Sequence, residues 1–266
     1  MASHDKDDVA ALVGAMLAGS ALKDAGSGRP ILMLHGGGGT STVAALSQTL
    51  SAAARVLTPN HPGFDGTPRP AWLSSVAALA TFYVALLDRM GIDEIVVVGS
   101  SVGGWIGSEM ALQAPGRVKG LVLINATGIA VENHPLVDVS QLTLPELMQL
   151  AHHDPAKILA ASPPPSAQQQ AIRVSNAAAL AAYDNGMNGQ DPNLRARLAN
   201  VTVPVLVVWG ESDGVASVQY GAAYSHAFAN AVFERVPQAG HFPHIEQKDS
   251  VSAAISGFLQ RLGWVS

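Results

Sequence analysis

A serine with one glycine two residues before it and another two residues after it is the most informative feature of the sequence. It stands in the stretch Gly99-Ser100-Ser101-Val102-Gly103, after the apolar residues 95–98 and before a helical pattern. A strand, a sharp turn and a helix in this order expose the central hydroxyl, and side chains at the two glycine positions would collide. The pattern predicts Ser101 as a nucleophile and the N–H of Val102 as a donor to an oxyanion. The alternatives are an ordinary glycine-rich turn and Ser100 as the nucleophile.

A second glycine-rich loop, residues 36–39, follows the apolar residues 31–34 and His35. Acyl transfer needs two N–H donors at the oxyanion, and glycine lets the backbone approach without obstruction by a side chain. Gly37 is the first candidate for the second donor and Gly38 the next, while His35 is expected to brace the loop. The alternative is a phosphate-binding loop, but the sequence lacks both the Lys-Ser/Thr of a P-loop and the third glycine of a dinucleotide fingerprint.

A serine hydroxyl becomes a good nucleophile only when a base removes its proton. Nine histidines compete for this role. His241 is the first candidate, because it comes just after a predicted strand at 232–236, where a loop would reach the carboxyl edge of a sheet. His244 is the rival, but it lies further along, towards the next helix.

The carboxylate that orients the histidine is expected at the end of another strand. Asp213 lies four residues beyond a predicted strand at 205–209, and Glu211 is the fallback. The resulting chain order is Ser101, Asp213, His241. This order is typical of a nucleophile elbow on an α/β sheet and differs from the orders of chymotrypsin and subtilisin.

Short apolar runs alternate with Ala-rich helical stretches along the chain. Continuous apolar runs are typical of strands covered on both faces, as in parallel sheets. The pattern predicts strands at residues 31–34, 55–58, 95–98, 121–124, 205–209 and 232–236, with helices at 9–19, at 74–90 and from 102 to before Pro115. We therefore predict an α/β fold with a mostly parallel central sheet flanked by helices.

The alternation of strands and helices is interrupted once, between residues 129 and 199. Helical pieces at 145–152 and 166–183 have apolar faces that need burial, and no convincing strand is visible there. We predict a helical cap at 129–199, inserted into one core domain formed by residues 1–128 and 200–266. A disordered linker is the alternative. The adjacent His152 and His153 in this segment are expected to face solvent.

Composition excludes several classes of function. Twenty acidic and fifteen basic residues give a net charge of −5, so the basic field that nucleic-acid binding requires is absent. The absence of cysteine excludes disulfides, cysteine-based zinc sites and a cysteine nucleophile. His241 and His244 are spaced like metal ligands, but Glu246 is the nearest third group, so we predict no metal site.

The same composition, 48% hydrophobic and 13% charged, predicts a folded globule. No uncharged apolar run reaches the length that spans a bilayer. The apolar run at 9–19 follows acidic residues, whereas a secretory signal needs basic ones. We therefore expect a cytoplasmic protein without a membrane partner, and the sequence leaves its oligomeric state open.

Taken together, five motifs give the chain a resemblance to the α/β-hydrolase superfamily over essentially its whole length. They are His35-Gly36-Gly37-Gly38, Asn60-His61-Pro62-Gly63-Phe64-Asp65-Gly66, Gly99-Ser100-Ser101-Val102-Gly103-Gly104, Trp209-Gly210-Glu211-Ser212-Asp213 and Gly240-His241-Phe242. The resemblance implies a hydrolase without a cofactor. In it, Ser101 attacks, His241 carries the proton, Asp213 orients His241, and Val102 with Gly37 binds the oxyanion.

The substrate class is less closely defined by the resemblance. Epoxide hydrolases and haloalkane dehalogenases of this fold use Asp where this chain has Ser101. Hydrolases that cleave carbon–carbon bonds typically have Trp after the catalytic histidine and often Asn before the nucleophile, whereas here Phe242 and Ser100 stand there. We expect a small to medium carboxylic ester or lactone, cleaved through an acyl-enzyme. A carbon–carbon bond hydrolase of ring-cleavage products, a receptor-like ligand-binding member and a perhydrolase are the alternatives.

Three residues are candidates for substrate binding: Trp105, Phe242 and Arg173. Trp105 lies near the start of the predicted elbow helix and is better explained as a core residue. Arg173 in the predicted cap is a candidate to bind a substrate carboxylate. An otherwise apolar, Ala-rich cap favours an uncharged acyl or alcohol group.

Overall fold

The computed structural model describes residues 3–161 and 164–265, and its centre is a seven-stranded sheet. In chain order the strands are β1 (Leu22–Ala25), β2 (Pro30–Leu34), β3 (Arg55–Pro59), β4 (Ile95–Ser100), β5 (Val118–Ile124), β6 (Gly128–Ile129), β7 (Gln190–Asp191), β8 (Val205–Gly210) and β9 (Ala231–Val236). Strands β6 and β7 form a separate two-stranded sheet. The sheet order is β1-β3-β2-β4-β5-β8-β9, in which β1 is antiparallel to β3 and the other pairs are parallel. This arrangement confirms the predicted α/β fold.

Helices follow the strands and cover both faces of the sheet. They are α1 (Ser3–Ala18), α2 (Ala44–Leu50), α3 (Val76–Arg89), α4 (Val102–Gln113), α5 (Leu144–Ala151), α6 (Pro155–Ala161), α7 (Ala167–Asp184), α8 (Leu194–Arg197), α9 (Val218–Ser225), α10 (Pro243–Glu246) and α11 (Lys248–Arg261). The side chain of Ser75 caps α3 by accepting a hydrogen bond from the N–H of Ala78. The helices predicted from 74 and from 102 are therefore present with small differences at their ends.

Alternate residues of the central strands enter two different cores. Leu32, Val97 and Leu121 face the layer of α1, α3, α4 and α9, whereas Ile31 and Val96 face the layer of α2 and α11. A strand that buries both of its faces must be apolar at consecutive positions. This is the physical reason for the continuous apolar runs, and all of these side chains are fully buried.

Two strand features differ from the sequence prediction. The antiparallel edge strand β1 was not predicted, because its sequence, Leu-Lys-Asp-Ala, is half polar and only its end residues are partly buried. The short pair of β6 with β7 places a strand inside the region where none was expected. Strands β6 and β7 have two residues each, which is too short for any periodicity.

The chain between β5 and β8 is largely helical, as the sequence predicts. Helix α5 begins with a capping box of Thr143 and Glu146, and α7 begins with one of Ser166 and Gln169. Helix α7 then buries its Asn176 face against the sheet domain. The division into core and cap at residues 129 and 199 stays a prediction.

Candidate active site

Ser101 occupies a tight turn between β4 and α4. Its backbone lies at φ 54° and ψ −123°, a region that residues with a side chain rarely adopt. A Cβ on Gly99 would lie 2.3 Å from the carbonyl oxygen of Gly103, and a Cβ on Gly103 would lie 2.3 Å from that of Leu34. The turn therefore requires glycine on both sides of Ser101.

Replacing Gly103 with alanine is expected to lower the free energy of unfolding by roughly 3 kcal/mol, because the new methyl group overlaps the backbone of β2. Urea unfolding would measure the loss. The matched control is Gly14→Ala in α1, where a Cβ meets no heavy atom within 4 Å. That control should stabilise the helix by about 0.5–1 kcal/mol. An unchanged unfolding midpoint for Gly103→Ala would contradict the predicted overlap.

A hydrogen-bonded chain joins Ser101 to His241 and Asp213. The Ser101 hydroxyl lies 3.1 Å from Nε2 of His241, and Nδ1 of His241 lies 2.8 Å from Oδ2 of Asp213. The side chains of His241 and Asp213 are buried. This is the arrangement in which a carboxylate orients an imidazole and the imidazole removes a proton from a serine hydroxyl.

Four donors surround the Asp213 carboxylate. Oδ1 accepts the N–H groups of Val215 at 2.8 Å and Ala216 at 3.1 Å, while Oδ2 accepts Nδ2 of Asn125 at 2.6 Å as well as the His241 donor. Asn125 is not among the residues predicted from the sequence. Its only signal is its position directly after β5, at the carboxyl edge where the ends of parallel strands meet.

The rival residues lie outside this hydrogen-bonded chain. The Glu211 side chain is 41% exposed and pairs with Arg235 at 3.5 Å. His244 is buried, and its Nε2 donates to the carbonyl of Thr42 at 3.0 Å. Ser100 is 1% exposed, and its hydroxyl has no hydrogen-bond partner among the residues described.

The glycine loop after β2 rests on two stacked histidines. Nδ1 of His35 donates to the carbonyl of Gly36 at 2.7 Å, and its Nε2 accepts the N–H of His61 at 3.1 Å. Nε2 of His61 donates to the carbonyl of His35 at 3.0 Å, and its Nδ1 accepts the hydroxyl of Tyr83. Every ring nitrogen has one partner, which assigns a neutral tautomer to each imidazole.

This loop passes directly over Ser101. A Cβ on Gly36 would lie 2.9 Å from Cβ of Ser101. Within residues 3–161 and 164–265, the N–H groups of Gly37, Gly38 and Val102 donate to no protein acceptor. Because the carbonyl and the N–H of one peptide point in opposite directions, the bond from His35 to the Gly36 carbonyl also sets the direction of the Gly37 N–H.

The sequence also matches a known protein family. Residues 31–254 match the sequence profile of the Alpha/beta hydrolase family. The chain belongs to this family. This confirms the resemblance seen in the sequence motifs, and the chain is a hydrolase.

Individual relatives of this hydrolase carry out more than one reaction. A 2-hydroxymuconate semialdehyde hydrolase of Pseudomonas putida is 29% identical over 257 residues, which cover 90% of this chain and 89% of that protein. An esterase structure from Thermogutta terrifontis has a TM-score of 0.75 at 22% identity, covering 91% and 93% of the two chains. A meta-cleavage product hydrolase from Pseudomonas fluorescens has a TM-score of 0.72 at 20% identity, covering 90% and 93%. At these identities the two structures support the fold alone.

The three candidate substrate residues of the hydrolase lie in different surroundings. Trp105 is 2% exposed, belongs to the core and packs on Gly128. The Phe242 ring is partly buried, 5.3 Å from the ring of His241 between centroids. Arg173 is exposed on α7, and no described residue forms an ion pair with it. A contact of any of them with substrate stays a prediction.

The expectation that His152 and His153 face solvent is wrong for His152. Its imidazole is buried and stacks on Phe242, with 5.4 Å between ring centroids. Burial lowers the pKa of His152, partly offset by Glu246. His153 is exposed, as expected, but its Nδ1 lies 2.8 Å from the hydroxyl of Ser212. The error arises because the end of α5 approaches the loop of His241, a contact that the sequence of the helix does not reveal.

Buried neutral histidines should make the hydrolase less stable in mild acid. Burial lowers the pKa of His35 and of His244 to about 4, and lowers that of His61 well below its usual value. The unfolded chain binds these protons below about pH 6.5, whereas the folded chain does not. The free energy of unfolding therefore has its full value above that pH and decreases as the pH falls towards 4. Each histidine contributes a decrease of up to about 1.4 kcal/mol per pH unit.

Urea unfolding between pH 7.5 and 5.0 would measure this dependence. His244→Gln keeps a donor for the carbonyl of Thr42 and should reduce the slope by about 1.4 kcal/mol per pH unit. The matched control His226→Gln, at an exposed position, should leave the slope unchanged. Equal slopes for both variants would contradict the prediction.

Neither a membrane span nor a metal site stands out in the described part of the chain. None of its helices combines the length and the apolar character needed to cross a bilayer. It also holds no cluster of three or more His, Cys, Asp or Glu side chains arranged to bind a metal ion.

Proposed function

We propose that this hydrolase cleaves a small to medium carboxylic ester or lactone through an acyl-enzyme on Ser101. The observation that carries the proposal is the hydrogen-bonded chain from Asp213 through His241 to the Ser101 hydroxyl. In this proposal Val102 and Gly37 form the oxyanion hole, with Gly38 as the alternative second donor. The catalytic chemistry assigned to these residues requires no cofactor and no metal.

The first half of the proposed reaction forms the acyl-enzyme. Oγ of Ser101 attacks the substrate carbonyl carbon while its proton passes to Nε2 of His241. The carbonyl oxygen becomes an oxyanion that accepts the N–H groups of Val102 and Gly37. When the bond to the leaving alcohol oxygen breaks, the proton on Nε2 passes to that oxygen. The ester bond to Ser101 remains.

The second half returns the enzyme to its starting state. A water molecule gives a proton to Nε2 of His241, and its oxygen attacks the acyl carbon. The oxyanion forms again at the same two N–H groups. The bond to Oγ of Ser101 breaks, Oγ takes the proton from His241, and the carboxylic acid leaves. Asp213 keeps its charge throughout and holds His241 with Nδ1 protonated.

Apolar side chains near the nucleophile support an uncharged substrate. Leu180 of α7 lies over the glycine loop, since its Cδ2 would be 3.1 Å from a Cβ on Gly37. The ring of Phe242 lies 5.3 Å from the ring of His241 between centroids. No lysine or arginine of the described residues forms a hydrogen bond or ion pair with Ser101, Asp213 or His241. Such a site fits an apolar acyl or alcohol group.

Hydrolysis of a carbon–carbon bond in a ring-cleavage product is the second candidate function. It is favoured by the 29% identity to the 2-hydroxymuconate semialdehyde hydrolase over 90% of this chain. A dienoate substrate of that kind carries a carboxylate, which needs a cation in the site. Arg173 is the candidate, although it is exposed on α7.

A substrate panel separates the two functions. We expect kcat/KM for p-nitrophenyl esters of short acids, or for a simple lactone, to exceed that for a 2-hydroxy-6-oxo-dienoate by about tenfold or more, a difference of about 1.4 kcal/mol in transition-state stabilisation. A preference for the dienoate, lost selectively in Arg173→Ala, would establish the carbon–carbon bond hydrolase. Turnover of charged esters alone would contradict an apolar site.

A further inference from the structure

The carboxyl end of cap helix α5 lies between the loops that carry Asp213 and His241. The carbonyl of Leu150 accepts the N–H of Gly214 at 2.9 Å, and the carbonyl of Ala151 accepts the N–H of His241 at 2.7 Å. The last carbonyls of a helix have no partner inside the helix and must find one elsewhere. Here that partner is the backbone of the residue after Asp213 and of His241 itself.

The Glu246 carboxylate adds a second connection between the end of α5 and the loop of His241. Oε2 accepts the N–H of Gly240 at 2.7 Å, and Oε1 accepts the N–H groups of His153 at 2.9 Å and Asp154 at 3.4 Å. The side chain is 7% exposed. One buried carboxylate therefore joins the residue before His241 to the residues after α5.

Gly240 is required for this close approach. A Cβ at this position would lie 2.4 Å from the carbonyl oxygen of Ala151 and 2.8 Å from Cα of His152. A third contact, between Nδ1 of His153 and the hydroxyl of Ser212, ties α5 to the residue before Asp213. The end of α5 is thus held against both loops by groups that flank the two residues of the hydrogen-bonded chain.

We propose that Glu246 is a positioning residue that fixes His241 relative to Asp213 by clamping the end of cap helix α5 onto the His241 loop. The inference rests on the proposed function of His241 and Asp213. Glu246 itself lies away from the reacting atoms and acts only through the backbone of Gly240. Helix α5 thereby contributes to the alignment of the base.

The replacement Glu246→Gln tests the clamp with little change of shape. All three hydrogen-bond partners of the carboxylate are backbone N–H donors, and they lie on both of its oxygens. Nδ1 of His152 lies 3.8 Å from Oε2 without forming a hydrogen bond. A carboxamide has one acceptor oxygen, so its NH₂ group must face a donor on one side. Either the Gly240 side or the His153 side is then released.

We expect Glu246→Gln to lower kcat for a p-nitrophenyl ester by about tenfold, as the loss of a hydrogen bond to a charged group implies, and to change KM by less than about threefold. Amide hydrogen exchange should increase in peptides covering residues 148–154 and 238–246 and stay unchanged in the strands. The matched control is Glu132→Gln, at an exposed position that lies between β6 and α5 in the sequence. It should behave as the wild type in both measurements.

A kcat within twofold of the wild type would overturn the inference. An increase in KM alone would also overturn it, because that result indicates a contact with substrate. Faster exchange throughout the chain would overturn it as well, because that result indicates general destabilisation. If the wild type neither turns over the ester nor reacts with a fluorophosphonate, the proposed function fails instead. Local exchange in Glu246→Gln then still shows whether the carboxylate clamps α5 to the His241 loop.

Discussion

Replacing Ser101 with alanine is expected to reduce kcat for ester hydrolysis by roughly 10⁴-fold or more, because the reaction loses its nucleophile. The proposed oxyanion donors and the proposed base remain, so substrate binding should change little. The measurement is steady-state turnover of a p-nitrophenyl ester, together with fluorophosphonate labelling and peptide mapping. Label should appear on Ser101 of the wild type and be absent from Ser101→Ala.

Ser100→Ala is a stringent control for this prediction. It changes the neighbouring serine, whose buried hydroxyl has no hydrogen-bond partner in the described residues. Removing an unsatisfied polar group should leave activity and labelling intact and slightly increase stability. His241→Ala should abolish labelling while Ser101 is still present, because the hydroxyl then has no base. Labelling that persists in both Ser101→Ala and His241→Ala would place the nucleophile elsewhere.

Asp213→Asn is expected to lower kcat by roughly 10⁴-fold, by trapping the wrong tautomer of His241. Oδ1 of Asp213 accepts two backbone N–H groups, so the single oxygen of asparagine must occupy that position. Its NH₂ group then faces Nδ1 of His241 and can only donate to it. His241 must carry its proton on Nε2, where it can no longer take the proton of Ser101.

The pH dependence of turnover and a second variant make this prediction specific. At high pH a hydroxide ion can replace the missing base, so the deficit of Asp213→Asn should shrink as the pH rises. Glu211→Gln, at the other carboxylate of the same loop, should keep wild-type kcat because Glu211 is exposed and faces Arg235. If Glu211→Gln carried the large loss and Asp213→Asn did not, the assignment of the acid would be wrong.

The elements of this fold were largely predictable because their signals are local. Strands β4 and β8 are continuous apolar runs. The turn at Ser101 is marked by two glycines, at positions where a Cβ would overlap backbone atoms. The strand β1 was not predictable, since an edge strand with half-exposed residues has no apolar pattern. Its pairing with β3 depends on a partner elsewhere in the chain.

By itself, the sequence determined the fold class and predicted Ser101, Asp213 and His241 in the turns and loops that follow strands, because each of these features depends on a few adjacent residues. Tertiary structure alone decided which polar groups hold those residues. Asn125 reaches Asp213 across 88 positions, and Glu246 reaches His153 across 93. Neither contact has a sequence pattern, since both form only when the parallel strands bring their carboxyl ends together and helix α5 packs against the resulting loops.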